Sequence, residues 1–424
     1  MKDIKMNISI STFKISDKQR YYIEQLHYFS ILSLVLVLPY WGAWKLMKLL
    51  VFVIFISSLF SGRVNLKALL SNKVILALFS FILFTSISVF WSSSDIIFNE
   101  EYKLVLTVFK YYLLLVSGIY FSLLSKKRIK NIFFMMALAP IGTACVYYMN
   151  AFGITDIYPA IEGGNSRIFL SDLVNNFFLL YSAIYFLHHS LTSFVKKEYS
   201  YFILFFVLFM LFVSSLIIDP LMSSRLMFLI FILVATMTFL FYLKRKYSIM
   251  IIVFLILAIT IFINTNTSMQ QGINEIKTAI EEKNYSGSWG LRLGLAVAGV
   301  DIFKEHPVIG RGVNDVRARV GDYLKDNSKF FMATKTRHFH NEHLNILVEV
   351  GMVGYFLYLL FIFLFLRIPI SDPLISKLKY TYTIAFLLLQ MGEHYLMFPA
   401  ASTSFFICIF FILTIRYGEL EKEN

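Results

Sequence analysis

Long apolar blocks with few charges, separated by polar connections, run along this chain from residue 27 almost to its end. They fall at 27–43, 46–61, 73–91, 103–124, 131–150, 168–190, 200–218, 224–243, 247–264, 341–366, 378–396 and 399–416. Most hold about 20 residues, which as α-helix cross a hydrocarbon core of roughly 30 Å. A transmembrane barrel would show shorter segments alternating with a period of two. The pattern predicts an all-α polytopic membrane protein of about 12 transmembrane helices.

The connections sort themselves by charge. "GRVNLKALLSNK" (62–73), "KKRIK" (126–130), "VKKE" (195–198), "KRK" (244–246) and "SKLK" (376–379) are basic, whereas "WSSSDIIFNEE" (91–101) and "GITDIYPAIEGGN" (153–165) carry acids. Basic loops stay in the cytoplasm. The expected layout is therefore a cytoplasmic N-terminal segment (1–26), nine spans (27–264), one large outer loop (265–340), three spans (341–416) and a cytoplasmic tail (417–424). The outer loop has elements of its own. "SMQQGINEIKTAIEE" (268–282) repeats Ile273, Ile276 and Ile280 at helical spacing. "SWGLRLGLAVAGVDIFKEH" (288–306) predicts a second helix, stopped by Pro307. A long connection with its own elements is usually functional.

Composition agrees with the membrane class. The 424 residues are 58% hydrophobic and 15% charged, and mean hydropathy is +0.70; a soluble domain is about a quarter charged. A net charge of +13 would suggest nucleic acid in a soluble protein. Here it is explained by the loops of one membrane face, and no nucleic-acid partner is expected. The two cysteines, Cys145 and Cys408, lie in apolar blocks and read as small buried hydrophobes.

Candidate chemistry gathers at the outer face. Arg225 opens the eighth span, where it either snorkels to the interface or binds an anion through its planar fork of donors. Arg292 lies in the second loop helix, and Arg311, Arg317, Arg319 and Arg337 follow it. Such a set is either a solvated basic face or a surface for phosphorylated lipid or polyanionic glycan. "RHFHNEHLNILVEVGMVG" (337–354) places His338, His340 and His343 where the tenth span begins. His340 and His343, three apart, would share a helix face. The spacing is not H-E-x-x-H, and no Cys or Asp cluster completes a ligand set, so no metal is expected. An imidazole, with an ordinary pKa of about 6.5, suits a general base for a sugar hydroxyl, though interfacial histidines facing headgroups fit the same pattern. Glu349 is a carboxylate inside a span, where such groups usually face the bundle interior. Gly351 and Gly354 permit close helix approach. Gln390, Glu393 and His394 form a second polar group near the outer end of the eleventh span. No nucleotide-binding loop is visible, so a transferase of this design would take an activated donor carried on lipid.

These residues carry a resemblance. The run H-N-x-x-L-x-x-L-x-E-x-G-x-x-G from His340 to Gly354, the pairing of Arg292 with "HPVIGRG" (306–312), and Ser224–Arg225 at the head of a span resemble the signature of the O-antigen ligase/polymerase superfamily. The resemblance implies a GT-C-type glycosyltransferase of the bacterial inner membrane, with its active site on the periplasmic side. Such a ligase, in lipopolysaccharide biosynthesis, moves a glycan from undecaprenyl diphosphate to lipid A–core, with inversion and without metal or other cofactor. It implies His340 as base, and Arg225 and Arg292 as ligands of the donor diphosphate. His338, Asn341, Glu349, Arg311 and Arg337 would stand in support. The implied partners are the lipid-linked donor, the lipid A–core acceptor and membrane lipids. Two alternatives remain at this stage: an O-antigen polymerase, disfavoured because only one outer loop is large, and a lipid or glycan flippase, which would place its charges nearer the midplane.

Overall fold

A computed structural model describes residues 16–40, 44–60, 71–92, 124–155, 172–218, 225–244, 267–313, 338–396 and 398–423, with single positions between 109 and 116, between 247 and 264, and at 320. Among these residues the regular structure is helical, with no strand. The α-helices are α1 (Asp17–Val37), α2 (Trp44–Phe60), α3 (Lys73–Ile87), α4 (Lys126–Leu138), α5 (Ile141–Ala151), α6 (Asp172–Val195), α7 (Tyr199–Ile218), α8 (Arg225–Leu240), α9 (Thr267–Glu281), α10 (Gly287–Glu305), α11 (Glu342–Leu366), α12 (Pro373–Leu389) and α13 (Pro399–Glu423). Among the described residues, six stretches are long and apolar enough to cross a membrane: 73–91, 126–151, 174–195, 199–216, 342–366 and 399–419.

Among the described residues the helices follow the apolar blocks, with three informative departures; the blocks at 103–124 and 247–264 lie partly outside the described residues. α1 starts well before residue 27, because Ser16 and Gln19 form a reciprocal capping box there. The block at 131–150 is divided into α4 and α5 by Pro140, which cannot donate a helical hydrogen bond. α12 ends at Leu389, so Gln390, Glu393 and His394 lie in the turn beyond it rather than within a span.

α6 and α13 form the interior of the bundle and are buried over most of their surface. α7 packs along α6 but turns much of its surface outward. α11 lies against α3, and α8 bridges α6 and α12. The long connection is not a tether. α9 packs on α10; Met269 and Ala279 of α9 are buried, while Ile273 and Ile280 stay exposed, so the isoleucine repeat does not mark the buried face. Glu275 of α9 accepts from the Trp289 amide at the start of α10 (2.8 Å). α10 in turn buries Leu295 and Ile302 against Phe339, Leu344 and Val348.

The most consequential irregularity is in α11. Gly351 has φ 64° and ψ −168°, so the helix is broken there. A break frees carbonyls before it and amides after it, and these need partners. The 307–313 segment supplies them. Arg311 and Gly312 amides donate to the Val348 and Glu349 carbonyls (2.9 and 2.8 Å), and Met352 and Val353 amides donate to Pro307 and Val308 (2.9 and 3.1 Å). The Val313 amide continues to Ser88 Oγ at the end of α3 (3.1 Å). Gly310 and Gly312 also have positive φ, and a Cβ at Gly310 or Gly351 would collide with backbone of the opposite strand of this joint.

At the other end of the bundle Asp372 caps α12 and pairs with Lys130 (2.7 Å) and Lys126 (3.5 Å). Burial raises the Asp372 carboxyl, but the Lys130 hydrogen bond, the Ile375 amide and both lysine charges outweigh it and hold the group below its ordinary value. Lys379 is buried and closes the α11–α12 turn by donating to the carbonyls of Leu366 and Ile368 (2.7 and 2.6 Å).

Two outcomes follow. Gly310→Ala and Gly351→Ala will each lower the melting temperature in detergent. Left-handed backbone in a non-glycine residue costs about 1–3 kcal/mol, and the collision adds to it. Gly418→Ala, which meets nothing within 4 Å, is the control, and equal melting of all three variants would refute the joint. Asp372→Asn keeps the cap but loses the charge. A depressed folded pKa stabilises the protein above the unfolded value of about 3.9 and that stabilisation is lost as pH falls through the folded pKa. The asparagine variant will therefore be the less stable at neutral pH and converge on wild type in acid below about pH 4.

Candidate active site

The chain enters α11 through a short irregular run. His340 has φ 48°, a left-handed conformation uncommon outside glycine though enriched in His. Asn341 follows as N-cap, its side chain accepting from the Leu344 amide (3.1 Å). The helix proper begins at Glu342, so His340 and His343 do not share a helix face as their spacing suggested. His343 turns instead to the Leu387 carbonyl and the Tyr355 hydroxyl (3.1 and 3.3 Å).

The left-handed turn brings the His340 ring to the same side as that of His338, with centroids 4.3 Å apart. Both face Glu393. His340 Nδ1 is 2.9 Å from Glu393 Oε2, and His338 Nε2 is 3.1 Å from Oε1. A carboxylate only accepts, so the two imidazoles donate through these nitrogens. The His394 amide also donates to Oε1 (3.1 Å). Burial raises the Glu393 carboxyl, but the hydrogen bonds and charges of His338 and His340 prevail and hold it well below the usual carboxylate range. The Glu393 side chain is 4% exposed, against 34% for His338 and 26% for His340. The arrangement is a buried anion carrying two imidazoles at an open edge.

Behind it stands a second pair. His394 Nε2 lies 3.3 Å from Glu342 Oε1, and Glu342 Oε2 accepts from the Leu396 amide (3.1 Å). Asn345 joins both layers, accepting from the Phe339 amide (3.2 Å) and reaching His394 Nδ1 (3.2 Å). The Glu342 amide donates to the Gln390 carbonyl (2.8 Å). The entry to α11 and the 390–396 turn are thus tied together by main chain and side chain. Glu349 and Glu342 line a narrow interior cavity of about 30 Å³, with Tyr112 and Tyr358.

Of the residues marked by the sequence, His338, His340 and Asn341 come together here. Arg292 sits on α10, where its guanidinium donates to the Ser288 carbonyl and hydroxyl (3.2 and 2.6 Å); its Nε is buried without a hydrogen-bond partner. Arg311 is held by Glu305 and serves the joint with α11 through its backbone. Arg225 is the first residue of α8; the next residue, Leu226, packs directly on Gly392, one position before Glu393. Arg317, Arg319 and Arg337 lie outside the described residues. Glu393 is the partner that local spacing could not identify. It stands 53 positions from His340, and its one signal was a carboxylate beside Gln390 and His394 in an otherwise apolar run. It also supplies the third donor that the histidine spacing lacked, so that His338, His340 and Glu393 form a group able to hold a metal ion.

No curated protein matches this chain. Residues 209–359 match the family model described as O-Antigen ligase. The matched region runs from α7 to beyond Gly354 and includes Arg225, Arg292, His338, His340, Asn341 and Glu349, while Glu393 follows it. Over this region the chain is similar to the O-antigen ligase family.

Proposed function

We propose that this protein is an O-antigen ligase, transferring a polysaccharide from undecaprenyl diphosphate to lipid A–core oligosaccharide at the periplasmic face of a bacterial inner membrane. In this reading the chain crosses the membrane about 12 times, has both termini in the cytoplasm, and carries its one large periplasmic loop between the ninth and tenth spans. The observation that carries it is the His340–Glu393 hydrogen bond at the entry to α11, next to the family-matched region that contains the histidine.

The chemistry follows from the tautomer. With Nδ1–H donated to Glu393, Nε2 is the basic nitrogen of His340. It takes the proton of the acceptor hydroxyl as that oxygen attacks the anomeric carbon of the donor sugar. The bond to the diphosphate breaks on the opposite side, which inverts the anomeric configuration. Glu393 stabilises the imidazolium that forms, the role of the carboxylate in hydrolytic triads. Arg225 and Arg292 hold the donor diphosphate and offset the charge that develops on it as it leaves. The unpartnered Nε of Arg292 supports this assignment, as does the packing of α8's first turn on the Glu393 turn. His338 shares the carboxylate and steadies it, and Asn341 fixes the helix entry. No step in this reading calls on a metal ion.

His340→Ala will lower transfer by about 10²–10⁴-fold, the usual weight of a general base, while the protein still accumulates in the membrane. Glu393→Gln will lose less and shift the pH–rate profile, because the amide cannot stabilise the imidazolium. Wild-type transfer by the alanine variant would end the base assignment. Deletion in the native host, with lipopolysaccharide resolved on gels, separates the two activities of the superfamily. Bare lipid A–core together with polymer accumulating on undecaprenyl diphosphate identifies a ligase; core bearing a single repeat unit identifies a polymerase.

A further inference from the structure

We propose that His338, His340 and Glu393 form a binding site for a divalent transition-metal ion, Zn²⁺ above all, and that an ion bound there silences the His340 base. Three features carry the site. First, the donor types are two imidazoles and one carboxylate, a set that binds zinc with a position left open. Second, the donors converge, since His338 Nε2, His340 Nδ1 and the Glu393 oxygens all lie within 4.8 Å of one another. Zinc holds imidazole nitrogen and carboxylate oxygen at about 2.0–2.2 Å, so neighbouring ligands of a tetrahedral ion stand roughly 3.3 Å apart. The 2.9 and 3.1 Å separations from Glu393 are already near that spacing. Third, the carboxylate is anchored from behind by the His394 amide, while both histidines are partly open to entry.

The silencing depends on the base assignment above. An ion on Nδ1 displaces the hydrogen bond to Glu393 and leaves the remaining ring proton on Nε2. That is the nitrogen which must accept the proton of the acceptor hydroxyl. Metal and substrate proton therefore exclude one another at a single imidazole. The ion is an inhibitor of this site and has no part in the transfer.

The test uses the full-length protein, purified in detergent without a polyhistidine tag and stripped with EDTA. It is titrated with Zn²⁺ alone against a chromophoric chelator, and with Co²⁺ for the visible absorption of a low-symmetry site. One ion per chain is expected, with affinity reduced at least about tenfold in both His338→Ala and Glu393→Gln. Both variants must elute and melt as folded protein. Absence of saturable binding, or unchanged affinity in both folded variants, overturns the site. In a transfer assay, activity should fall in step with Zn²⁺ occupancy and return with EDTA. Binding without inhibition upholds the metal site but removes His340 from the base role, and stimulation by Zn²⁺ overturns the silencing.

Discussion

The end of this molecule that carries the His338–His340–Glu393 cluster is framed by the repair of one broken helix. At Gly351 α11 gives up its own hydrogen-bond ladder, and the 307–313 segment replaces the lost partners from outside. Unsatisfied backbone groups are costly where water is scarce, so break and segment require each other. The consequence is positional. The first turns of α11 are fixed to α10 through Leu344 and Val348, to α3 through Val313 and Ser88, and to the 390–396 turn through Glu342. The histidines stand at the head of an element held on three sides. Precision of that kind is what the proposed proton transfer from a bound acceptor to His340 requires.

The electrostatics of the site follow the same economy. Glu393 is a buried carboxylate, and such a group needs compensation. It obtains this from two imidazoles and one amide, with no fixed cation among its bonded partners. Its side-chain partners are two imidazoles. Glu342 and His394 repeat the pattern one layer deeper. One end of the bundle is built from histidine–carboxylate pairs, whereas its opposite end uses lysine against Asp372.

The helices were legible because hydrophobic periodicity and capping residues are local signals. Pro307 ended α10 as expected, and Asn341 marked the start of α11. The break at Gly351 was not legible, since the apolar pattern continues across it unchanged. Glycines read as places of close approach prove to be places where the chain needs a positive φ, with close approach as the second demand; Gly354, pressed against Phe84, fits the first reading. Pro140 was overlooked because a proline in an apolar block does not alter hydropathy. The candidate cluster was half legible. His338 and His340 announced themselves, but their partner comes from a turn hidden inside what hydropathy treats as a span. His343 was grouped with them by arithmetic that holds only within a helix, and the helix begins after His340. Tertiary pairing over fifty residues leaves no trace in a single sequence.

The joint between α11 and the 307–313 segment is made of amides and carbonyls, with glycines where the two chains touch. Side chains in the segment carry little of it, and Val308 and Ile309 are 62% and 43% exposed. A joint of this kind separates geometry from surface. Residues facing outward there can be exchanged with little effect on the hydrogen bonds that hold the helix in place, so the segment's surface is free to diversify while the frame it makes stays constant.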